Sequence, residues 1–154
     1  MDYKDLERFI QENKVKAQII ETKGNVVTTE DVKREFGFDE LKKIVKSIVV
    51  VDENLEKPLL LVLRGDKKID FKKLEKITNK KYKLAKPNEV LELTGYKVGG
   101  VPPFGLRNKI ETWLDKSVLD VDEVTAGGGD HKHLVKIRTE ELKKFADKVL
   151  DFTK

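Results

Sequence analysis

Val45-Lys46-Ser47-Ile48-Val49-Val50-Val51 and Leu59-Leu60-Leu61-Val62-Leu63 are two strand-length runs that carry apolar residues at both parities. Successive side chains of a strand point to opposite faces, so a run that is apolar at both parities is covered on both sides. The two runs therefore read as neighbouring central strands. Asp52 to Pro58 between them is polar and turn-like, which predicts an antiparallel pair with a medium loop. On the N-terminal side, Leu6, Phe9 and Ile10 recur at helical spacing behind Asp2, giving a helix that ends near Asn13 and leads to a strand over Ala17 to Thr22. Thr28 or Thr29 caps a short helix with Val32 and Phe36 on one side and Gly37 placed to stop it; a second short helix follows over Phe38 to Ile44.

On the C-terminal side, Asp70 opens a helix with Phe71, Leu74 and Ile77 inward and Lys72, Lys73 and Lys76 outward. Asn88 to Thr94 is a helix opened near Pro87 and closed by Gly95. Strands are expected at Ile110 to Leu114, Val121 to Ala126 and His133 to Ile137, with a glycine turn before the last. A final helix from Thr139 is expected to bury Leu142, Phe145, Ala146 and Val149. Helices and antiparallel strands in this order define an α+β fold with a mixed, largely antiparallel central sheet surrounded by helices. At 154 residues, with no linker or repeat, residues 1–154 read as one domain.

Composition removes several reaction classes. Without cysteine there is no disulfide, thiolate nucleophile or cysteine-ligated metal. The serines are Ser47 and Ser117, and neither lies in a G-x-S-x-G context, which disfavours a serine hydrolase. No P-loop and no dinucleotide fingerprint is present. Apolar runs are strand-sized and the N-terminus is charged, so a soluble cytoplasmic protein without a membrane segment is expected. Charged residues make up 39% of the chain, against about 25% in ordinary proteins. The net charge is +4, yet Lys67 to Lys86 holds nine lysines against Asp70 and Glu75, or +7 locally. Such a segment either meets a polyanion or is a solvated helix face.

Four features compete for the chemistry. Gly99-Gly100-Val101-Pro102-Pro103-Phe104-Gly105 is a rigid loop whose glycines let main-chain N–H groups approach a ligand, as an oxyanion pocket requires, or else a structural turn. Lys46 lies inside an apolar run at the parity of Ile44, Ile48 and Val50, so its ammonium either snorkels to a rim or enters a pocket. Thr125-Ala126-Gly127-Gly128-Gly129 reads first as a hairpin turn that also permits close approach to a ligand. His131 and His133 share a strand face, and with no further histidine or cysteine they read as two exposed histidines and not as metal ligands.

These segments together resemble one family, the YbaK and prolyl-tRNA-editing domains. The resemblance runs from Thr28-Thr29-Glu30-Asp31 through Ile44-Val45-Lys46-Ser47, Arg64-Gly65-Asp66 and Lys72-Lys73-Leu74 to Thr94-Gly95-Tyr96 and Val98-Gly99-Gly100-Val101-Pro102-Pro103-Phe104-Gly105. It implies a barrel-like form of the central sheet and hydrolysis of the ester joining a wrongly attached amino acid to tRNA, without cofactor or metal. The substrate it implies is the acceptor end of an aminoacyl-tRNA, typically tRNA for proline carrying a small amino acid such as alanine or cysteine. A synthetase is the implied partner. The resemblance gives Lys46, Gly99 and Gly100 catalytic roles and assigns substrate binding to Thr29, Val101, Pro102, Pro103, Phe104, Gly105, Thr125, Gly127 and Gly128. Lys72, Lys73 and Lys76 are the expected RNA contacts. The rival reading is a non-catalytic tRNA-binding or synthetase-associated module.

Overall fold

The computed structural model describes residues 1–36 and 38–154, with side chains at all of these except 29, 36 and 38–40. The expected helix stop at Gly37 lies outside the described residues, as do the side chains of Thr29 and Phe36. Among the described residues five α-helices, α1 (Tyr3–Glu12), α2 (Thr29–Phe36), α3 (Phe71–Thr78), α4 (Pro87–Thr94) and α5 (Thr139–Leu142), accompany eight strands. The strands are β1 (Ala17–Glu21), β2 (Val45–Asp52), β3 (Leu59–Arg64), β4 (Tyr82–Leu84), β5 (Glu111–Asp115), β6 (Glu123–Gly127), β7 (His133–Arg138) and β8 (Lys148–Leu150).

The strands form two sheets, in the orders β1-β7-β6 and β4-β2-β3-β5-β8. The two apolar runs are neighbours in the centre of the larger sheet and pair antiparallel, Lys46 opposite Leu63 and Ser47 opposite Val62. The β3–β5 and β5–β8 pairs are parallel, and the others antiparallel. The sheet does not close into a barrel. Between the two sheets a single isolated bridge, Ile44 with Thr125, is made among the described residues.

Alternation decides which core each strand serves. Val45, Val49 and Val51 of β2 and Leu60 and Val62 of β3 face Val124, Ala126, Val135 and Ile137 of the small sheet, so the main core lies between the sheets. Val50, Leu59, Leu61 and Leu63 point the other way, onto Leu74 of α3, Tyr82, Trp113 and Phe152. A third cluster joins Val26, Val32, Ile44 and Leu134 beside α2. Complete burial of side chains such as Leu59, Leu61 and Leu63 contributes about 1.5–3 kcal/mol each.

Three expectations are corrected. Leu74 is the inward residue of α3, while Phe71 and Ile77 are exposed. The final helix stops early: α5 ends at Leu142, a short 3-10 turn follows over Lys143–Phe145, and Val149 lies in β8. Thr112 captures the chain there, exchanging bonds with Asp147 through Thr112 N–H to Asp147 Oδ2 at 2.8 Å and Asp147 N–H to Thr112 O at 2.7 Å. Tertiary pairing thus overrides helical periodicity. The short strand β4 was not expected; it completes the sheet beside β2.

Candidate active site

A cavity of about 410 Å³ opens where β2 leaves its partners. Its walls are almost wholly apolar, with Val26, Val32, Ile44, Val45, Ile48, Val49, Val90, Ala126 and Leu134 among them, and its polar side chains are Thr28, Lys46, Ser47 and Thr125. Among the described residues no carboxylate lies on the wall. The exposed side chains of Val27, Leu84 and Val98 stand at its edge.

Three loops build the mouth, and glycine lets them meet. Gly99 has φ +88° and lies so close to Val27 that an added Cβ would sit 2.7 Å from Val27 Cγ1. A Cβ on Gly127 would run into the Val101 carbonyl, so β6 can end against the 99–105 loop only with glycine there. Gly129 N–H donates to Gly100 O at 2.9 Å, and Val26 N–H donates to His131 O at 2.5 Å. The first loop is braced by a reciprocal cap: Asp31 Oδ2 accepts from Val27 N–H and Thr28 N–H, both at 3.0 Å, and Asp31 N–H donates to Thr28 Oγ1. Main-chain donors hold the Asp31 carboxyl down to a pKa of about 2.

The histidines belong to this bracing and are not simply exposed. His131 precedes β7 in a turn, with Nε2 2.9 Å from Val98 O. The ring of His133 stacks on Tyr3, centroids 3.7 Å apart, and its Nδ1 lies 2.7 Å from Asp130 Oδ1. Packing against the N-terminal helix, distant in sequence, makes the difference.

Lys46 lies half-buried on the cavity wall, its Nζ 3.5 Å from Gly65 O. Burial lowers its pKa below 10.5 and the neighbouring Lys68 charge adds to this, while Asp66 opposes it. Asp66 is itself committed to Arg64, with Oδ1 and Oδ2 2.9 and 2.6 Å from the guanidinium, which holds the Asp66 carboxyl low and the guanidinium high. Among the described residues Lys46 is thus left with a carbonyl in place of a dedicated carboxylate. Beside it, the hydroxyl of Ser47 is buried without a hydrogen-bond partner among the described residues.

Of the residues expected at the site, Lys46, Gly99, Val101, Thr125 and Gly127 line this one cavity. Gly100 lies between two of them, but its N–H donates to Lys97 O at 2.9 Å. Pro102, Pro103 and Phe104 are buried away from the wall, Phe104 packing against Phe145 and Phe9. Gly105 packs on Phe9, and Gly128 N–H donates to His133 O. Lys72, Lys73 and Lys76 are on α3, over the opposite face of the larger sheet. Lys72 and Lys76 are exposed, whereas Lys73 is tied to Asp151 and the Thr153 carbonyl. Sequence reasoning missed Ser47 and Thr28. Ser47 gave a signal, a polar residue at the parity of Val45 and Val49.

Residues 23–145 match the model of the aminoacyl-tRNA editing domain, and the chain belongs to that family, the hydrolases of wrongly charged aminoacyl-tRNA. It is 34% identical over 128 residues to the uncharacterised protein YwhH of Bacillus subtilis (strain 168), covering 83% of this chain and 80% of that one. It is 26% identical over 117 residues to EbsC of Enterococcus faecalis (strain ATCC 700802 / V583), described as a candidate Cys-tRNA(Pro)/Cys-tRNA(Cys) deacylase, covering 75% and 70%. A solved structure described as a candidate trans-editing enzyme for prolyl tRNA synthetase superimposes with a TM-score of 0.88 at 27% identity, over 99% of this chain and 96% of that one. Among the described residues no helix is long and apolar enough to cross a membrane.

Proposed function

We propose that this chain acts in trans, in the cytoplasm, on tRNA for proline that carries a small amino acid such as alanine or cysteine, with water as the nucleophile. One observation carries the reading: a partly desolvated lysine, with no carboxylate bonded to it among the described residues, lines an apolar cavity together with Gly99, Val101 and Gly127. The aminoacyl side chain fills the apolar part, where a missing or extra methylene is worth about 1–3 kcal/mol. The ester carbonyl points toward Lys46. Water adds to the carbonyl carbon, the oxyanion forms beside the ammonium, and the C–O bond to the ribose breaks as the ribose oxygen takes a proton. An aminoacyl ester is already activated, so positioning and a single cation supply the catalysis without a protein nucleophile. Gly99 and Val101 hold the acyl group, Thr125 and Gly127 complete the wall, and the Gly100 peptide serves the turn that shapes the loop.

The acceptor end enters at Val27, Leu84 and Val98, and the lysine-rich segment carries the RNA body, with Lys72 and Lys76 as its free contacts on α3. A synthetase that releases the mischarged tRNA is the natural partner. The test is a deacylation screen over tRNAs charged with alanine, cysteine, serine and proline. Release from one of the first three supports the reading, and binding without release from any of them assigns the chain to non-catalytic tRNA binding. Charge reversal at Lys72 and Lys76 is expected to lower the salt dependence of tRNA use by about one slope unit per lost phosphate contact, leaving a minimal aminoacyl-nucleotide unaffected.

A further inference from the structure

Ser47 lines the cavity and carries, among the described residues, the one buried side-chain polar atom without a hydrogen-bond partner. Other buried hydroxyls among the described residues are satisfied: Thr94 Oγ1 donates to Val90 O at 2.7 Å, Thr139 Oγ1 to Val121 O at 2.8 Å and Thr78 Oγ1 to Leu74 O at 2.8 Å. The Ser47 hydroxyl is buried in an apolar wall with no such bond. A buried polar group left unpaired costs stability, and alanine would avoid that cost in the free protein.

The main chain at Ser47 is open in the same direction. Gly65 N–H donates to Ile44 O, so the even-numbered residues of β2 turn their peptide groups toward β3. Ala85 N–H donates to Val49 O, so the odd-numbered ones turn toward the other edge. On that edge the ladder to β4 stops at Val50 opposite Leu84, and the bridge to β6 is at Ile44 opposite Thr125. Among the described residues no strand stands opposite Ser47, and the gap is the cavity.

We propose that this gap reads the aminoacyl group as a one-residue strand, with Ser47 as the receptor of its α-amino group. This rests on the deacylase reading above. An antiparallel pair exchanges N–H and C=O with a residue whose amine and carbonyl flank one Cα, and an aminoacyl ester has that arrangement. The α-amino group donates to Ser47 O and, once the side chain turns into the cavity, to Ser47 Oγ; the ester carbonyl accepts from Ser47 N–H, the Lys46 ammonium leaves the Gly65 carbonyl to meet the oxyanion as it forms, and the amino acid side chain falls against Val49 and Val90. Both acceptors are neutral oxygens, in keeping with a wall on which no carboxylate stands among the described residues. The Lys46 ammonium lies toward Gly65, on the β3 side, and does not oppose the substrate amine. Ser47 is thus a specificity residue for a free α-amine; the lysine acts on the ester.

The experiment compares the charged tRNA that the protein hydrolyses fastest with the same tRNA after nitrous acid has converted the α-amine to a hydroxyl. Wild type is expected to prefer the amine, and Ser47→Ala to reduce that preference about tenfold or more, the worth of one hydrogen bond to a charged group. The free Ser47→Ala protein is expected to melt about 2–4 °C higher. Ser47→Cys, which keeps the volume but accepts hydrogen bonds weakly, makes the same comparison if the alanine variant does not fold. Equal losses on both substrates, or no preference in wild type, overturn the role of Ser47 and leave the deacylase reading standing. Hydrolysis of neither substrate by wild type overturns the deacylase reading and this proposal with it.

Discussion

Two regions of the larger sheet treat their polar groups in opposite ways, the ends of β3 and β5 and the open edge of β2. At the ends of β3 and β5 the strong groups are paired. Asp115 accepts from the Ser117 and Phe152 N–H groups at 3.2 and 3.0 Å and from the Ser117 and Thr153 hydroxyls. Arg64 is held by Asp66 and by Asp120 at 3.3 Å. At the open edge of β2, among the described residues, Lys46 has one long contact to a carbonyl and the Ser47 hydroxyl has none. A satisfied network specifies a fold; groups held ready and unsatisfied in an apolar recess mark where a ligand completes the structure.

The comparison breaks first where stability is concerned. Asp115→Ala strands four donors and is expected to cost about 3–5 kcal/mol, lowering the melting temperature by about 10 °C while the folded fraction keeps its deacylation rate. Thermal melts with activity measured well below the transition check this. Gly127→Ala has a smaller effect on stability, about 1–3 kcal/mol from overpacking against the Val101 carbonyl. Its effect on catalysis is larger, up to about 100-fold in kcat/KM, because the 99–105 loop moves relative to Lys46. A rate unchanged in this variant would separate that loop from the chemistry.

The smallest expected effect concerns the mouth. Asp31 has a folded pKa of about 2 against 3.8 for the free carboxyl. Its contribution is therefore complete above 3.8 and is lost as pH falls through about 2. Asp31→Asn should melt slightly below wild type at pH 7, and the difference should close by pH 2. A gap that stays constant with pH would show that charge is not what holds the loop.

Most of the architecture was legible from local pattern. Two-faced apolar runs placed β2 and β3 together, and Pro87 and Gly95 bounded α4. Features set by partners distant in sequence were not legible. Val149 reads as helical until Asp147 meets Thr112; His133 reads as exposed until Tyr3 covers it; Lys73 reads as free until Asp151 and Thr153 return beside it. The candidate cavity was legible in the same measure. Lys46, Gly99 and Thr125 stand out from their surroundings in sequence, but which edge of β2 is left open depends on where β4 and β6 end. That termination exposes Ser47 and leaves Gly100 in a turn.

Lys46 tests the account most directly, by measuring the melting temperature and the deacylation rate of Lys46→Met together. Burial puts the folded pKa of this lysine below its unfolded value, so its charge opposes folding at neutral pH and the penalty fades only as pH rises toward 10.5. The account predicts a rate about 100-fold lower or worse, the loss expected for an oxyanion-stabilising group, with a melting temperature at pH 7 equal to or above that of wild type. A variant that melts lower and loses activity only in proportion, or one that keeps the wild-type rate, would contradict it.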